Sequence, residues 1–232
     1  MKKHIPNILT CSNLVCGCLG IDYAYHGNLI LAAYMIGLAG LFDFLDGFVA
    51  RLLKVSSPIG KELDSLADCV SFGVLPGVIM LHLLQSSNLG ELPIVIAHIA
   101  WLIPALSAVR LAKFNIDTRQ TTSFIGVPTP ANAILIGSLP LVLAYNPSFE
   151  WLIRNPFVLI AITIVMSLLL VAELPLFALK FKNYTFGDNK IRFIFLILSI
   201  IILITFQFAG VPLIILSYIL LSLIDSKSPA SS

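Results

Sequence analysis

Apolar residues run almost without interruption along this chain, and polar residues gather in short breaks between the runs. A membrane-spanning helix needs roughly 20 apolar residues, within a range of about 17–25. Eight stretches answer that description: 8–25, 28–51, 60–85, 92–112, 127–145, 156–177, 190–208 and 211–225. Turn-forming residues mark the breaks, among them His26-Gly27-Asn28, Ser86-Ser87-Asn88, Asn146-Pro147, and Gly210 before Pro212. The first stretch and the last two are short or weakly bounded, so six or seven spans are the alternatives. The runs are continuous rather than alternating, which excludes transmembrane β-strands. The expected fold class is all-α, a polytopic membrane helix bundle of about eight transmembrane helices forming one integral-membrane domain over 1–232. The first stretch reads as a span and not as a cleavable signal peptide. Asn7, Thr10 and Asn13 punctuate it, and no clear small-residue cleavage site follows.

Composition strengthens this reading. Of 232 residues, 58% are hydrophobic and 11% charged, against about 25% charged in an average soluble domain. Mean hydropathy is +0.99. A soluble globule of this size has no interior large enough to hide so much apolar surface. The net charge of +2 is too small to make nucleic acid an expected partner. Cys11, Cys16, Cys18 and Cys69 all fall inside apolar stretches, at spacings that fit no zinc pattern, and read as bystander thiols. His4, His26, His82 and His98 have no second candidate ligand at helical spacing and are assigned no chemistry.

Cationic residues orient the bundle. With the N-terminus inside, the inside segments hold Lys2, Lys3, Arg51, Lys54, Lys61, Arg110, Lys113, Arg119, Lys180, Lys182, Lys190, Arg192 and Lys227. That is 13 of the 14 Lys and Arg, with only Arg154 outside. The positive-inside rule then places both termini in the cytoplasm.

Four acidic residues fall where acids are costly. Asp43 and Asp46 lie within the second span, Asp64 and Asp68 within the third. Each aspartate at the centre of a spanning helix costs roughly 2.5–3.5 kcal/mol. The pairs are spaced i,i+3 and i,i+4, so each occupies one helix face. At about 1.5 Å per residue, Asp46 and Asp43 lie roughly 8 and 12 Å inward from Arg51, and Asp64 and Asp68 roughly 6 and 12 Å inward from Gly60. The stretch Leu52–Ile59 is short, so the two helices are expected to be antiparallel neighbours with the acids at matching depth. Converging carboxylates repel one another, and a hard divalent cation such as Mg²⁺, Mn²⁺ or Ca²⁺ relieves that repulsion. Two other readings stand beside this one: helix-end acids paired with Arg51, Lys54 and Lys61, and an ion pathway in an ion-coupled transporter. Gly47, Ala50 and Gly60 flank the acids and leave bare helix surface for a ligand. Gly73 and Gly77 have no such neighbours, and their spacing fits a packing or dimer face.

The stretch Asp43-Phe44-Leu45-Asp46-Gly47-Phe48-Val49-Ala50-Arg51, eight residues, then Gly60-Lys61-Glu62-Leu63-Asp64-Ser65-Leu66-Ala67-Asp68 resembles the full signature of the CDP-alcohol phosphatidyltransferases, D-x2-D-G-x2-A-R-x8-G-x3-D-x3-D. All eight fixed positions are present. The flanks are similar to the phosphatidylserine synthase branch of that family. Residues 5–13 (Ile5 to Asn13) resemble its N-terminal motif. Arg110-Leu111-Ala112-Lys113-Phe114-Asn115 resembles its R-L-A-R-F-N stretch, with Lys113 in place of an arginine. Phe124-Ile125-Gly126-Val127-Pro128-Thr129-Pro130-Ala131 resembles its F-x-G-L-P-T-P-A stretch. The likeness covers 5–131, with the signature at 43–68 and the flanks at 5–13 and 110–131.

The resemblance implies an enzyme of a prokaryotic cell membrane, with its active site at the cytoplasmic interface, that transfers the phosphatidyl group of CDP-diacylglycerol to L-serine and releases CMP. Glycerol 3-phosphate and inositol phosphate are the alternative acceptors. It implies two divalent cations, Mg²⁺ or Mn²⁺, held by Asp43, Asp46, Asp64 and Asp68, with Asp68 also the candidate general base. The CDP-lipid would meet Gly47, Ala50, Arg51, Gly60 and the polar stripe Asn7, Thr10, Asn13, whose spacing of three places them on one face. Helix capping is the alternative role for Asn7 and Thr10. The acceptor would meet Arg110, Lys113, Asn115 and Thr129. A planar guanidinium suits a carboxylate, although a basic residue at a span's end also serves as a topology anchor. Expected partners are CDP-diacylglycerol, L-serine, membrane lipids and a second copy of the chain in a homodimer.

The orientation is testable directly. Cysteines introduced in the Lys180–Lys190 loop and at the C-terminus should label only from the cytoplasmic side. Labelling of either from outside sinks the orientation.

Overall fold

The structure, a computed structural model, describes residues 4–87, 93–117, 123–177 and 189–227. Lys2, Lys3, Arg119, Lys180 and Lys182 of the cationic set lie outside these residues. Each predicted apolar stretch holds a helix: α1 Ile5–Tyr25, α2 Leu29–Leu53, α3 Pro58–Gln85, α4 Ile94–Ile116, α5 Thr129–Tyr145, α6 Pro156–Val171, α7 Lys190–Phe206 and α8 Gly210–Lys227. Among the described residues, five stretches are long and apolar enough to cross a membrane by themselves, one of them Lys190–Ile224. A sixth is added if the helical segment Pro147–Ile153 and α6, bent by 74°, form one span, and α5 is shorter. The Lys190–Ile224 stretch is broken at Gln207, where φ is 50°, and α7 packs back against α8. The chain is an all-α polytopic bundle.

Local chemistry sets the boundaries. Asn28 caps α2 by accepting from the Leu31 amide at 3.1 Å, and Lys54 ends that helix in the left-handed region at φ 52°. Ser57 caps α3 by accepting from the Gly60 amide at 3.1 Å, with Pro58 in the first turn, where a missing N–H costs nothing. Inside α3 the residues Cys69–Val74 form a π turn. Pro76 follows it and has no N–H to give to the carbonyl of Phe72, so the helix widens ahead of the proline. The helix α4 opens as a 3₁₀ helix over Ile94–Trp101 and becomes α-helical at Leu102.

Bundle packing centres on α3. Of its apolar window 61% is buried inside the protein, against 33% or less for the other four spans. Phe72, Leu75, Ile79, Met80 and Leu84 of α3 are fully buried with Ile103, Ile136 and Leu159. Gly17 and Gly20 let α1 lie directly on Ser71 and Leu75. Gly73 and Gly77 face Ser107 and Pro104 of α4, so this small-residue pair packs within the chain.

One expectation is corrected. The stretch 156–177 is not helical throughout. The helix α6 ends at Val171, Ala172 is extended, and Pro175–Phe177 forms a strand, β2. It pairs antiparallel with β1, Ser123–Ile125, in the register Ser123↔Phe177, Phe124↔Leu176, Ile125↔Pro175. Pro175 cannot continue a helix and tolerates a strand edge. Immediately after β1, Gly126 turns at φ 75° and donates to the Leu174 carbonyl at 2.9 Å, and Val127 donates to Leu169 at 2.9 Å. This stitch fixes the chain that enters α5, just ahead of Thr129.

Gly126 has no freedom to change. A Cβ there would lie 2.5 Å from the Leu170 carbonyl oxygen, in a backbone region that L-residues avoid. Gly126→Ala should cost about 1–3 kcal/mol from backbone strain alone. Gly27 also has positive φ but nothing within 4 Å of its Cβ position. In thermal melts of the detergent-solubilised protein, Gly126→Ala should fall further than Gly27→Ala; equal melting temperatures would refute the stitch.

Candidate active site

Three helices build the site. The helix α1 packs on both α2 and α3, while the acid-bearing halves of α2 and α3 make little direct contact with each other. The four aspartates point into the gap thus held open. Carboxylate oxygens of Asp43, Asp64 and Asp68 all lie within 4.8 Å of one another. Asp46 stands outside that group. Its Oδ2 accepts from Thr10 Oγ1 at 2.6 Å, and it is buried. Asp68 is buried as well, and its Oδ1 accepts from Asn13 Nδ2 at 3.1 Å. The i,i+3 stripe of α1 therefore runs alongside the acids. Helix capping is not its role, because the cap position of α1 is His4.

A cavity of about 290 Å³ opens beside the acids. Asn7 and Thr10 of α1 form one wall, Asp46, Gly47 and Ala50 of α2 a second, and Gly60, Lys61 and Asp64 of α3 a third. The small residues do what their size suggests. A Cβ on Gly60 would come within 3.2 Å of Asn7 Oδ1 and 3.0 Å of Ser57 Oγ, so its absence is space in the cavity. Arg51 is exposed, and its guanidinium reaches back to within 3.4 Å of the Cβ position of Gly47. Of the residues expected at the CDP-lipid, Asn7, Thr10, Gly47, Ala50 and Gly60 line this cavity, Arg51 covers its Gly47 side, and Asn13 touches Asp68 instead.

Residues expected at the acceptor divide into three groups. Arg110 is buried, and its Nη1 donates to Thr129 Oγ1 at 3.4 Å while its guanidinium carbon sits 5.4 Å from the Phe114 ring centre. Thr129 is fully buried. Asn115 is tied to α3: its Nδ2 donates to Ser65 Oγ at 2.8 Å, and its carbonyl accepts from Lys61 Nζ at 2.7 Å. Lys113 lines a separate small crevice with Arg110, Asp117 and Glu173. Arg110 thus meets Thr129 by a hydrogen bond and shares the crevice with Lys113, while Asn115 is held against α3.

Sequence reasoning had not placed every polar residue of the cavity. Ser57 and Lys61 line the cavity. Lys61 is spaced i,i+3 and i,i+7 with Asp64 and Asp68, and this shared face was the available signal.

The donor set is all oxygen: three converging carboxylates, a fourth on the cavity wall, and an amide alongside. It suits Mg²⁺ or Mn²⁺ and gives zinc or copper no nitrogen or sulfur ligand. Mn²⁺ should therefore raise the melting temperature of the purified protein, by a shift that grows with its concentration. Asp43→Asn and Asp64→Asn should each abolish that shift while the protein still inserts. An unchanged shift in both variants would remove the metal from this cluster.

Residues 3–171 match the CDP-alcohol phosphatidyltransferase family. Similar proteins include a CDP-diacylglycerol–serine O-phosphatidyltransferase of Helicobacter pylori, 38% identical over 133 residues that cover 56% of this chain and 54% of the relative. A protein of the same description from Bacillus subtilis is 36% identical over 145 residues, covering 62% and 78%. An archaetidylserine synthase of Methanothermobacter thermautotrophicus is 32% identical over 165 residues, covering 70% and 66%. The chain thus spans about half the length of the Helicobacter relative, with 54% of it covered.

Proposed function

This chain belongs to the CDP-alcohol phosphatidyltransferase family, and we propose that it joins CDP-diacylglycerol and L-serine into phosphatidylserine with release of CMP. The observation that carries the reading is the convergence of Asp43, Asp64 and Asp68 beside a cavity walled by Asp46 and bare glycine. Relatives named for serine favour that acceptor over glycerol 3-phosphate or inositol phosphate. An ion-coupled transporter has no support in the family match.

Residue roles in this proposal follow from chemistry and position. The diphosphate of the donor lies against Gly47, Ala50 and Gly60, where the absence of side chains lets it approach the backbone. Asn7 faces the cytidine side, with Arg51 at the rim. Asp43, Asp46, Asp64 and Asp68 hold two divalent cations, which when bound neutralise the diphosphate and the departing CMP. Thr10 and Asn13 fix the Asp46 and Asp68 carboxylates by hydrogen bonds. Asn13 holds Oδ1 of Asp68, and the Asp68 carboxylate takes the serine hydroxyl proton. The serine oxygen then forms a bond to the lipid-side phosphorus. The bond from that phosphorus to the bridging oxygen breaks, and the bridging oxygen leaves with CMP. Arg110, steadied by Thr129 and Phe114, receives the serine carboxylate. Donor tails stay in the bilayer, while serine and CMP exchange with the cytoplasm on the cation-rich side. The active form is a homodimer.

Chelator should abolish CMP release by the purified enzyme, and Mg²⁺ or Mn²⁺ should restore it. Asn at position 43, 46 or 64 should cost orders of magnitude in rate. Near-normal turnover by Asp68→Asn would remove Asp68 as base.

Offered a panel of alcohols, the enzyme should prefer serine. Arg110→Lys should weaken serine use by about 1–3 kcal/mol, the worth of a hydrogen bond to a charged group, and should leave CDP-lipid binding less affected. A phosphoglycerol product with serine ignored would overturn the acceptor while leaving the family intact.

A further inference from the structure

A second polar layer lies beneath the Arg110–Thr129 pair. Arg110 is near the C-terminal end of α4 and Thr129 starts α5, and their hydrogen bond pins the two helices at that level. One turn deeper, about 4.5 Å along each axis, stand Ser107 on α4 and Asn132 on α5. Both are fully buried. Ser107 lies against Gly73, in the π turn that follows Asp68.

This layer is unsatisfied. Among the described residues, neither Oδ1 nor Nδ2 of Asn132 has a hydrogen-bond partner, nor has Ser107 Oγ, nor Nε of Arg110 just above. Buried polar atoms are rarely left this way, because each loses its water and gains nothing in return. Here four such atoms fall on two adjacent helical turns. Two offer N–H groups, Arg110 Nε and Asn132 Nδ2. Two offer oxygen, Asn132 Oδ1 and Ser107 Oγ. Donors and acceptors side by side complement a small zwitterion, whose carboxylate needs the first set and whose ammonium needs the second.

We propose that Asn132 and Ser107 are specificity-determining residues that read the α-ammonium of an amino-acid acceptor while Arg110 reads its carboxylate. This rests on the acceptor reading above and deepens it. A phosphorylated polyol brings anionic oxygen and no ammonium, so it would leave both oxygens of the layer unmatched. A site whose buried polar groups await a partner rejects the analogue that lacks it.

The test uses the full chain in lipid nanodiscs with CDP-diacylglycerol, and CMP release as the readout. The acceptors are L-serine and 3-hydroxypropanoate, which is serine without its ammonium. Wild type should favour serine by about 100-fold or more in kcat/KM. Asn132→Leu should raise KM for serine about 10-fold or more while KM for CDP-diacylglycerol holds, and the preference over 3-hydroxypropanoate should shrink; Ser107→Ala should do the same less strongly. A purely structural role would not move the two KM values apart. If both variants kept the wild-type serine KM and preference, the assignment would fall while the acceptor reading stood. Should Asn132→Leu fail to fold, Ser107→Ala and the wild-type preference decide, and equal use of the two acceptors by wild type overturns the assignment. A wild-type enzyme inert toward serine overturns both readings.

Discussion

The structure depends on keeping four carboxylates inside helices that are otherwise apolar. Each costs roughly 2.5–3.5 kcal/mol at the centre of a span if left alone. The protein lowers that cost with its first helix. Thr10 and Asn13 reach Asp46 and Asp68, and Gly17 and Gly20 press α1 closely enough onto α3 for those short side chains to arrive. The arrangement leaves Asp43, Asp64 and part of Asp68 without such partners, on the side where the cavity opens. The residual charge is thereby concentrated beside the cavity.

Much of this was legible in the sequence, for identifiable reasons. Helical spacing placed Asp43 with Asp46 and Asp64 with Asp68, and the short Leu52–Ile59 connection let the two pairs face each other, although α1 and not direct α2–α3 packing holds them there. The spacing of Asn7, Thr10 and Asn13 correctly put them on one face, but spacing alone did not say which acid each would meet. Asp46 leaves the three-carboxylate group because Thr10 claims it, a pairing across 36 positions that local periodicity does not encode. The β1–β2 ribbon was missed because Leu174, Leu176 and Phe177 read as the end of an apolar helix. Ser107 and Asn132 were missed because single polar residues in apolar runs carry no pattern.

The last hundred residues looked like generic membrane filler, and they have a specific task at one end. Tyr218 of α8 donates its hydroxyl to the Phe177 carbonyl at 2.9 Å. Its ring meets Phe177 and Phe195 edge-on or tilted at 5.0 and 5.7 Å. The α7–α8 pair thus buttresses β2, β2 holds β1, and the turn at Gly126 sets the start of α5 where Thr129 meets Arg110. The Arg110–Thr129 pair is positioned from the C-terminal half, the carboxylate cluster from α1.

The π turn at Cys69–Val74 divides α3 into two parts that are out of phase. An extra residue in one turn rotates everything beyond it by about 100° relative to an unbroken helix. The N-terminal part keeps its acids toward the gap, while the part beyond the turn is free to aim Gly73 and Gly77 at α4. Reactive face and packing face are therefore set independently on one continuous rod, like two cams keyed at different angles on a single shaft. Deleting one residue from the turn would lock them to a common angle, and acids and glycines could no longer both face their partners.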